Sequence, residues 1–303
     1  KNLTKKDNGT AMSPQKKLRD RLSKNEILLA PGVYDAFGAM MGERAGFEAL
    51  YLSGASIAYT RLGRPDIGLV TAEELTSVVG TIRERSSLPL IVDADTGFGN
   101  ALNVQRTVKM LERNGASAIQ LEDQSLPKRC GHLAGKTLVS AEEMNGKIKA
   151  ALDARTDDDT VIIARTDAIA VEGYDKALER AQGYVEAGAD VLFIEAFQDE
   201  SQITTAIERF GGSIPQLVNM VEGGKTPLKP ASELEEMGFS IVIYPGALVR
   251  VLAHAADQYF AHLKEHGTTK DYQQNMFDFD ALNDLLGTAQ MLEIGDKYKD
   301  GGD

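Results

Sequence analysis

The sequence predicts an α/β protein, a (β/α)8 TIM barrel, from three observations. Between residues 28 and 246, eight short apolar runs rich in β-branched residues alternate with longer amphipathic segments, a pattern typical of strand–helix units and a parallel sheet. Eight such units in a chain of 303 residues suit one barrel. An open dinucleotide-binding sheet would need a GxGxxG turn after its first strand, and the sequence has none there.

The strand candidates follow one another at regular intervals. They are 28–32, 49–54, 88–95, 117–123, 160–167, 190–196, 215–220 and 240–246. The segments between them have helical periodicity, and Gly115 and Gly188 are suitable helix stops.

Two further segments flank the barrel. Residues 1–13 are polar and predict a disordered arm, followed by a short helix over 14–24. Residues 265–303 contain a helical pattern with no strand after it, so we expect this segment to pack on a neighbouring subunit or outside the barrel. We therefore divide the chain into an arm and short helix (1–24), a barrel (25–264) and a C-terminal helical extension (265–303).

Composition restricts the partners. The chain has 33 Lys and Arg against 45 Asp and Glu, a net charge of −12, so nucleic acid and anionic membranes are poor partners. No apolar run approaches the roughly 20 residues of a membrane helix. The single cysteine, Cys130, excludes an internal disulfide and indicates a reducing compartment. We expect a cytoplasmic location. A mitochondrial one stays open because the chain begins with lysine, as after removal of a targeting peptide.

Polar residues end seven of the eight strand candidates. In a barrel these ends form one ring, which carries the active site in nearly every characterised enzyme of the fold. The ring comprises Ser53, Asp93, Asp95, Glu122, Asp123, Arg165, Asp167, Glu195, Asn219 and Tyr244. Any one of them could be a satisfied polar cap, but seven strands together indicate a site.

Three acidic residues of the ring suggest a metal. Asp93 and Asp95 alternate on a predicted strand, so their carboxylates point the same way with Cα atoms about 6.6 Å apart. Together with Glu122 they form an all-oxygen set suited to Mg²⁺ or Mn²⁺. A zinc site lacks ligands here because His132 is the only nearby imidazole.

Two other residues suggest chemistry. Arg165 ends an apolar strand, where its guanidinium could hold a carboxylate in two parallel hydrogen bonds; the alternative is a bracing ion pair with Glu195, and both can hold. Cys130 lies in the segment PKRCGHLAGK, where Lys128 and Arg129 favour a thiolate able to exchange a proton near neutral pH. The alternative for Cys130 is a small buried hydrophobe.

With these residues assembled, the sequence resembles the isocitrate lyase and phosphoenolpyruvate mutase superfamily, in the branch of methylisocitrate and 2,3-dimethylmalate lyases. The matching blocks, which span nearly the whole chain, are APGVYDAFGAM, YLSGASIA, RPDIGLVT, VDADTGFGN, QLEDQ, KRCGH, IIARTDA, FIEA, VNM and YPGALVR. The resemblance implies a barrel whose eighth helix is swapped between paired subunits of a homotetramer, a dimer of dimers. Such a swap would explain residues 265–303.

The resemblance also implies a role for each matching residue. Asp93 and Asp95 would serve Mg²⁺, and Glu122 would hold a metal-bound water. Cys130 would be the acid/base on a gating loop. Other residues implied at the substrate are Tyr51, Ser53, Gly54, Ala55, Asp66, Arg165, Glu195 and Asn219. From the same loop we add Lys128 and Gly131 as substrate-binding residues and His132 as a catalytic one.

Two departures from the family pattern bear on the substrate. Methylisocitrate lyases typically follow KRCGH with an arginine that helps hold the extra carboxylate of a tricarboxylic substrate, whereas Leu133 follows here. Pro245, which we place at the substrate, occupies the strand-8 position where oxaloacetate hydrolases carry serine. A dicarboxylate is favoured over a tricarboxylate, and a lyase over a hydrolase. Phosphonate mutases lack the KRCGH cysteine, so that branch is disfavoured.

The predicted function is therefore Mg²⁺-dependent cleavage of a 2-hydroxy dicarboxylate, such as 2,3-dimethylmalate, or of methylisocitrate. The products would be an α-keto acid such as pyruvate and a carboxylic acid. One alternative is hydrolysis of oxaloacetate to oxalate and acetate. Another is an inactive barrel acting as a binding protein, against which the intact Asp93, Asp95, Arg165 and Cys130 argue. Tyr51, Glu195 and a metal-linked water all remain candidates for the base that deprotonates the C2 hydroxyl.

Overall fold

The computed structural model describes residues 12–299. Eight parallel strands form a closed barrel in chain order, and β8 pairs with β1 to complete it, so the predicted fold class is confirmed. The strands are β1 Leu28–Val33, β2 Leu50–Leu52, β3 Leu90–Asp93, β4 Ala118–Glu122, β5 Val161–Thr166, β6 Val191–Ile194, β7 Gln216–Asn219 and β8 Ile241–Tyr244. Seven lie inside the predicted segments, and β1 ends one residue later than predicted.

Helices make up much of the rest of the described chain. They are α1 Pro14–Leu22, α2 Ala36–Arg44, α3 Gly54–Ile57, α4 Ala72–Arg83, α5 Ala101–Arg113, α6 Ala141–Ala154, α7 Ile169–Glu172, α8 Tyr174–Glu186, α9 Glu200–Phe210, α10 Ala231–Met237, α11 Ala247–His266, α12 Phe279–Leu286 and α13 Thr288–Asp296. The predicted helix over 14–24 is α1, which ends two residues early. Residues 1–11 of the predicted arm lie outside the described residues.

Local sequence signals set the helix boundaries. The α4 helix begins at Thr71 with a capping box, in which the Thr71 hydroxyl accepts from the Glu74 amide and Glu74 accepts from the Thr71 amide. The reciprocal pair satisfies two amides that a helix start leaves unpaired. In α5 the apolar residues Val104, Val108 and Leu111 recur at helical spacing and are fully buried, so this face packs on the strands.

The apolar core has two layers. The larger lies between the strands and the surrounding helices, and the smaller fills the barrel interior with side chains that include Tyr51, Ile91 and Phe193. Leu18 of α1 belongs to the interior cluster and is fully buried. Since α1 precedes β1 in the chain, its apolar face covers the N-terminal end of the strands, and the opposite end is left for the site.

The chain separates into two compact units, Lys1–Val249 and Arg250–Asp303. The second unit holds most of α11, a 3-10 turn at Lys270–Asn275, α12 and α13. Within its described residues, several large apolar side chains are exposed, among them Phe260, Phe279 and Met291. The predicted division at residues 24 and 264 stays a prediction. No helix within residues 12–299 has the length and apolar character required to cross a membrane.

Candidate active site

The predicted ring of polar residues lies at the C-terminal ends of the strands, and most of its members are buried. Two of them do not face a common site. Asp123 accepts hydrogen bonds from the Thr166 hydroxyl (2.7 Å), the Asp167 amide (2.9 Å) and the Tyr184 hydroxyl (2.7 Å), so it braces β4 against β5 and α8. Tyr244 packs against the outer core layer.

Asp93 and Asp95 face the same small space beside Gly54. A Cβ atom added at Gly54 would lie 3.5 Å from Asp93 Oδ2 and 3.5 Å from Asp95 Oδ1. The predicted reason for this convergence, alternation on a strand, is wrong. β3 ends at Asp93, and Asp95 follows in a turn with a φ of 48°. A left-handed backbone at a residue other than glycine is strained and is typical of functional sites.

Lys128 is the cation next to these carboxylates. Its ammonium lies 2.6 Å from Asp66 Oδ1 and 2.5 Å from Asp95 Oδ1, and its side chain is only 3% exposed. Burial raises the pKa of Asp95 to about 7 even though Lys128 opposes the shift. Burial by itself would lower the pKa of Lys128, but Asp95, Glu122 and Asp66 outweigh it and hold that pKa well above its usual value.

Asp93, Asp95 and Glu122 do not form a closed cage. Within residues 12–299, no group of three or more His, Cys, Asp or Glu side chains could hold a metal ion. Glu122 turns its Oε2 towards Arg165 Nε, 3.4 Å away. Its Oε1 is buried and has no hydrogen-bond partner among the described residues. A divalent ion would therefore take Asp93 and Asp95 directly and complete its shell with water or substrate, as Mg²⁺ commonly does.

The charge of the site suits such an ion. Its buried side chains comprise three cations and six carboxylates: Lys128, Lys136, Arg165, Asp66, Asp93, Asp95, Glu122, Asp167 and Glu195. An excess of buried negative charge is costly unless a cation compensates it. The buried Glu122 Oε1, which has no hydrogen-bond partner among the described residues, would be a further acceptor beside such an ion. The residues present thus fit a hard divalent cation.

Arg165 is held from several sides. Its Nε and Nη2 donate to the two carboxylate oxygens of Asp167 at 2.9 and 3.1 Å, and Nη2 lies 3.2 Å from Glu195 Oε2. The guanidinium also stands 5.0 Å from the centre of the Phe193 ring. The bracing ion pair with Glu195 is therefore present. The predicted two-bond grip on a substrate carboxylate differs from the structure, because Asp167 occupies that edge of the guanidinium.

Glu195 connects Arg165 to two further predicted residues. Its Oε2 accepts from Asn219 Nδ2 at 3.0 Å, and its Oε1 lies 3.7 Å from His132 Nε2. His132 Nδ1 accepts from the Lys225 amide at 3.2 Å, so the neutral ring carries its proton on Nε2 and directs it towards Glu195. Asn219 Oδ1 is buried without a hydrogen-bond partner in the described part of the chain, so a polar acceptor position is left for a ligand.

The segment 124–139 forms a loop with a paired neck. The Val139 amide donates to Asp123 O at 2.9 Å and the Ser125 amide to Thr137 O at 2.8 Å, and Gln124 bridges Leu138. Beyond the neck, the loop tip lies across the barrel mouth. A Cβ atom added at Gly131 would lie 2.3 Å from Arg165 Nη2, so only glycine fits at this approach.

Cys130 lies at this tip and is partly buried. Its amide donates to Asp66 O at 3.2 Å. The sequence predicts a thiolate, whereas burial raises the pKa of the Cys130 thiol above its usual value. The two cations next to it in sequence are used elsewhere: Lys128 pairs with Asp66 and Asp95, and Arg129 Nη1 donates to Ala134 O at 2.9 Å. The thiol is therefore protonated at neutral pH.

Tyr51 lies inside the barrel and is 1% exposed. Its hydroxyl donates to Gln120 Oε1 at 3.1 Å, and Gln120 Nε2 donates to Asp93 Oδ1 at 3.3 Å. Burial raises the pKa of Tyr51 well above its usual value, which makes it a poor base. Tyr51 therefore orients Asp93 through Gln120.

The remaining predicted residues lie close by at the same end. Ser53 Oγ accepts from the Ser56 amide at 3.2 Å and caps α3, which contains Gly54 and Ala55. Pro245 presents a carbonyl that accepts from Ser56 Oγ at 3.1 Å. Apart from Tyr51, which lies inside the barrel, the structure thus brings the predicted site residues to the C-terminal end of the strands.

Sequence reasoning missed three contributors: Gln120, Asp167 as the partner of Arg165, and Lys136. Gln120 is a polar residue in the middle of an apolar strand, a signal that could have been used. Lys136 pairs with Asp167 at 3.4 Å, and no sequence pattern indicates that contact.

A cavity of about 430 Å³ lies beside the loop. Its lining comes from the loops that follow β4, β5, β6 and β7: Gly131, His132, Leu133, Ala134, Lys136, Ala170, Ala196, Gln198 and Lys225. Arg165 and Glu195 do not line this cavity themselves, but Gly131, which lies against both side chains, does.

Comparison with known proteins agrees with this geometry. Residues 18–264 match the family described as phosphoenolpyruvate phosphomutase. The chain is 44% identical to the 2,3-dimethylmalate lyase of Eubacterium barkeri over 96% of its own length and 100% of that protein. It is 48% identical to the 2-methylisocitrate lyase of Aeropyrum pernix over 89% of its length and 86% of that protein.

Solved structures show the same fold. A 2,3-dimethylmalate lyase aligns with a TM-score of 0.90 and 35% identity, covering 97% of this chain and 99% of that one. An oxaloacetate acetylhydrolase bound to 3,3-difluorooxalacetate aligns with a TM-score of 0.89 and 34% identity, covering 96% and 98%. A phosphonopyruvate hydrolase in complex with oxalate and Mg²⁺ aligns with a TM-score of 0.86 and 30% identity, covering 95% and 99%.

Proposed function

The chain belongs to the phosphoenolpyruvate mutase and isocitrate lyase superfamily and is a lyase, and from this premise we propose that it cleaves a 2-hydroxy dicarboxylate of the 2,3-dimethylmalate type. The C2–C3 bond breaks. An α-keto acid such as pyruvate and a carboxylic acid leave.

One observation carries this proposal: the partly buried thiol of Cys130 lies on a loop tip that is closed over Arg165 and Glu195. Cleavage leaves the bonding electrons on C3 and its carboxylate, so C3 needs a proton donor. A thiol whose pKa is raised by burial is protonated and can donate. The fragment offers this thiol no electrophilic carbon, so no covalent adduct forms.

The remaining roles follow from position. Glu195 takes the C2 hydroxyl proton, since its carboxylate lies against Gly131, which lines the cavity, whereas the raised pKa of Tyr51 makes that residue a poor base. Arg165 and Lys128 provide positive charge for the carboxylates of the substrate and the departing fragment. Asp93 and Asp95 would hold Mg²⁺ or Mn²⁺, with Glu122 on a bound water, and the ion supplies Lewis acidity that favours the ionised form of an α-hydroxy acid. The proton lost by C2–OH balances the one gained by C3.

Leu133 bears on the number of carboxylates that the substrate carries. This side chain is 47% exposed and lines the cavity beside His132. An apolar residue there offers no hydrogen bond to a third carboxylate. The site therefore favours a dicarboxylate over methylisocitrate.

Oxaloacetate hydrolysis is the second candidate, and the similarity to an oxaloacetate acetylhydrolase structure favours it. Pro245 argues against it, because proline has no side-chain donor and presents only its carbonyl, which accepts from Ser56.

An assay of product release separates these functions. Purified enzyme with Mg²⁺ is given 2,3-dimethylmalate, methylisocitrate or oxaloacetate, and pyruvate and oxalate are measured. Fastest pyruvate release from 2,3-dimethylmalate is expected. Faster oxalate release from oxaloacetate would establish the hydrolase, and no product from any of the three would favour a binding protein.

We also propose a homotetramer in the cytoplasm. Exposed apolar side chains on the helices of the C-terminal unit, among them Phe260 and Phe279, support an assembly that covers them. The single cysteine supports a reducing compartment.

A further inference from the structure

Lys136 is a buried cation with no assigned role. It lies on the loop 124–139, six residues after Cys130, and its side chain is 2% exposed. A buried ammonium is costly unless charged or polar partners compensate it. Its position therefore depends on the groups it contacts.

Those groups belong to two different parts of the site. Lys136 Nζ donates to the carbonyl oxygen of Gly131 at the loop tip. It also lies 3.4 Å from Asp167 Oδ1, and Asp167 accepts both hydrogen bonds from the Arg165 guanidinium. One side chain thus joins the residue next to Cys130 to the partner of Arg165.

We propose that Lys136 is a positioning residue, a latch that holds the loop tip closed and so keeps Cys130 over the substrate. The neck hydrogen bonds join Asp123 to Val139 and Ser125 to Thr137, and they do not involve Lys136. Loss of the lysine should therefore release the tip while the neck stays paired. Because Lys136 also pairs with Asp167, its hydrogen bond to the Gly131 carbonyl connects the loop tip to the barrel.

The reactivity of Cys130 reports the latch directly, because it is the only cysteine in the chain. We would measure the rate of its modification by N-ethylmaleimide at fixed pH in the full-length enzyme, by intact mass. In Lys136→Met the latch is gone and the side chain keeps its length. A hydrogen bond to a charged group is worth about a tenfold to hundredfold change in an equilibrium, so modification should accelerate by about tenfold or more.

The matched control is Lys149→Met, which removes an exposed lysine from α6 and should leave the modification rate unchanged. Lys136→Arg keeps a charged donor and should restore most of the protection. If Lys136→Met does not fold, Lys136→Gln, which retains a donor of shorter reach, is compared with Lys136→Arg in the same assay. A labelling rate within twofold of wild type in the folded variant would overturn the latch.

A second measurement, of enzyme turnover, rests on the proposed function. Product release by Lys136→Met should fall about tenfold in kcat with a smaller change in KM, because the proton donor is displaced. Faster labelling with unchanged kcat would keep the latch and contradict the proposed role of Cys130. Slower turnover with an unchanged labelling rate would show that Lys136 affects the enzyme without holding the loop tip closed, and would overturn the proposal.

Discussion

Lys128 Nζ lies 2.5 Å from Asp95 Oδ1, so the loop that carries Cys130 also places a cation on a predicted metal ligand. When the loop is closed, Lys128 therefore offsets part of the negative charge of Asp93 and Asp95. Asp95 is buried and its backbone is left-handed, and its carboxylate is paired with the Lys128 ammonium of the loop.

Asp95→Ala should abolish activity without unfolding the barrel. Removing one of the two carboxylates proposed to hold the metal should cost at least about a thousandfold in rate, since a catalytic metal supplies several kcal/mol of charge stabilisation. Thermal melts and product release measure the two effects. Activity should also vanish in excess chelator and return with Mg²⁺, and undiminished turnover in chelator would refute the metal site.

Cys130→Ser should lose about 10² to 10⁴-fold in kcat with little change in KM, because a proton transfer is lost and binding is not. Reaction in D₂O, with deuterium counted at C3 of the released acid, measures the transfer. Mass spectrometry of quenched wild-type enzyme should detect no substrate-derived adduct. An adduct on Cys130 would show a nucleophile instead.

The pH dependence of thiol modification should reflect the burial of Cys130. Because the pKa of this thiol is raised by burial, the modification rate should rise with pH and level off only above the value of about 8.5 for a free cysteine. The raised value also means that the folded state retains its proton when the unfolded chain loses it, so this group's contribution to stability falls as pH rises through that region. A midpoint at or below that of free cysteine would restore the predicted thiolate.

Gly131→Ala should reduce turnover by at least about tenfold, because its methyl group would lie 2.3 Å from Arg165 Nη2 and push the tip off the barrel. Gly146→Ala in α6 is the matched control. Its Cβ would meet nothing within 4 Å, so stability should rise by about 0.5–1 kcal/mol and activity should not change. Equal turnover of the two variants would contradict the closed loop.

The enzyme should sediment as a tetramer, with four times the 32.8 kDa of one chain. The exposed apolar helices of the C-terminal unit motivate this expectation. Sedimentation velocity at several concentrations measures it. A compact monomer at all concentrations would remove the idea of exchanged helices.

Much of this site could be predicted from sequence because the C-terminal ends of all the strands of a parallel barrel lie at the same face. Asp93, Arg165, Glu195 and Asn219 follow from that rule alone, and the strands were found within a residue or two at each end. Asp95 faces the same space as Asp93, but not for the predicted reason, since no propensity indicates that Asp95 leaves the strand for a left-handed turn.

Contacts within the loop could not be predicted. The charges beside Cys130 in sequence suggested a thiolate, but side-chain geometry sends Lys128 to Asp95 and Arg129 to Ala134. In a loop without helical or strand periodicity, two residues that are adjacent in sequence can point their side chains in different directions, so a neighbouring cation need not lie near the thiol. For the same reason, Lys136 and its contact with Gly131 became visible only in the structure.

The loop separates its inward-facing and outward-facing residues. Lys128 and Gly131 are buried against the barrel, whereas Leu133 and Ala134 are exposed and line the cavity. The positions that carry the proposed chemistry are therefore constrained by packing, and the exposed positions that line the cavity are not. Related enzymes could diverge in substrate preference by substitutions at 133 and 134 while the reaction itself is inherited unchanged.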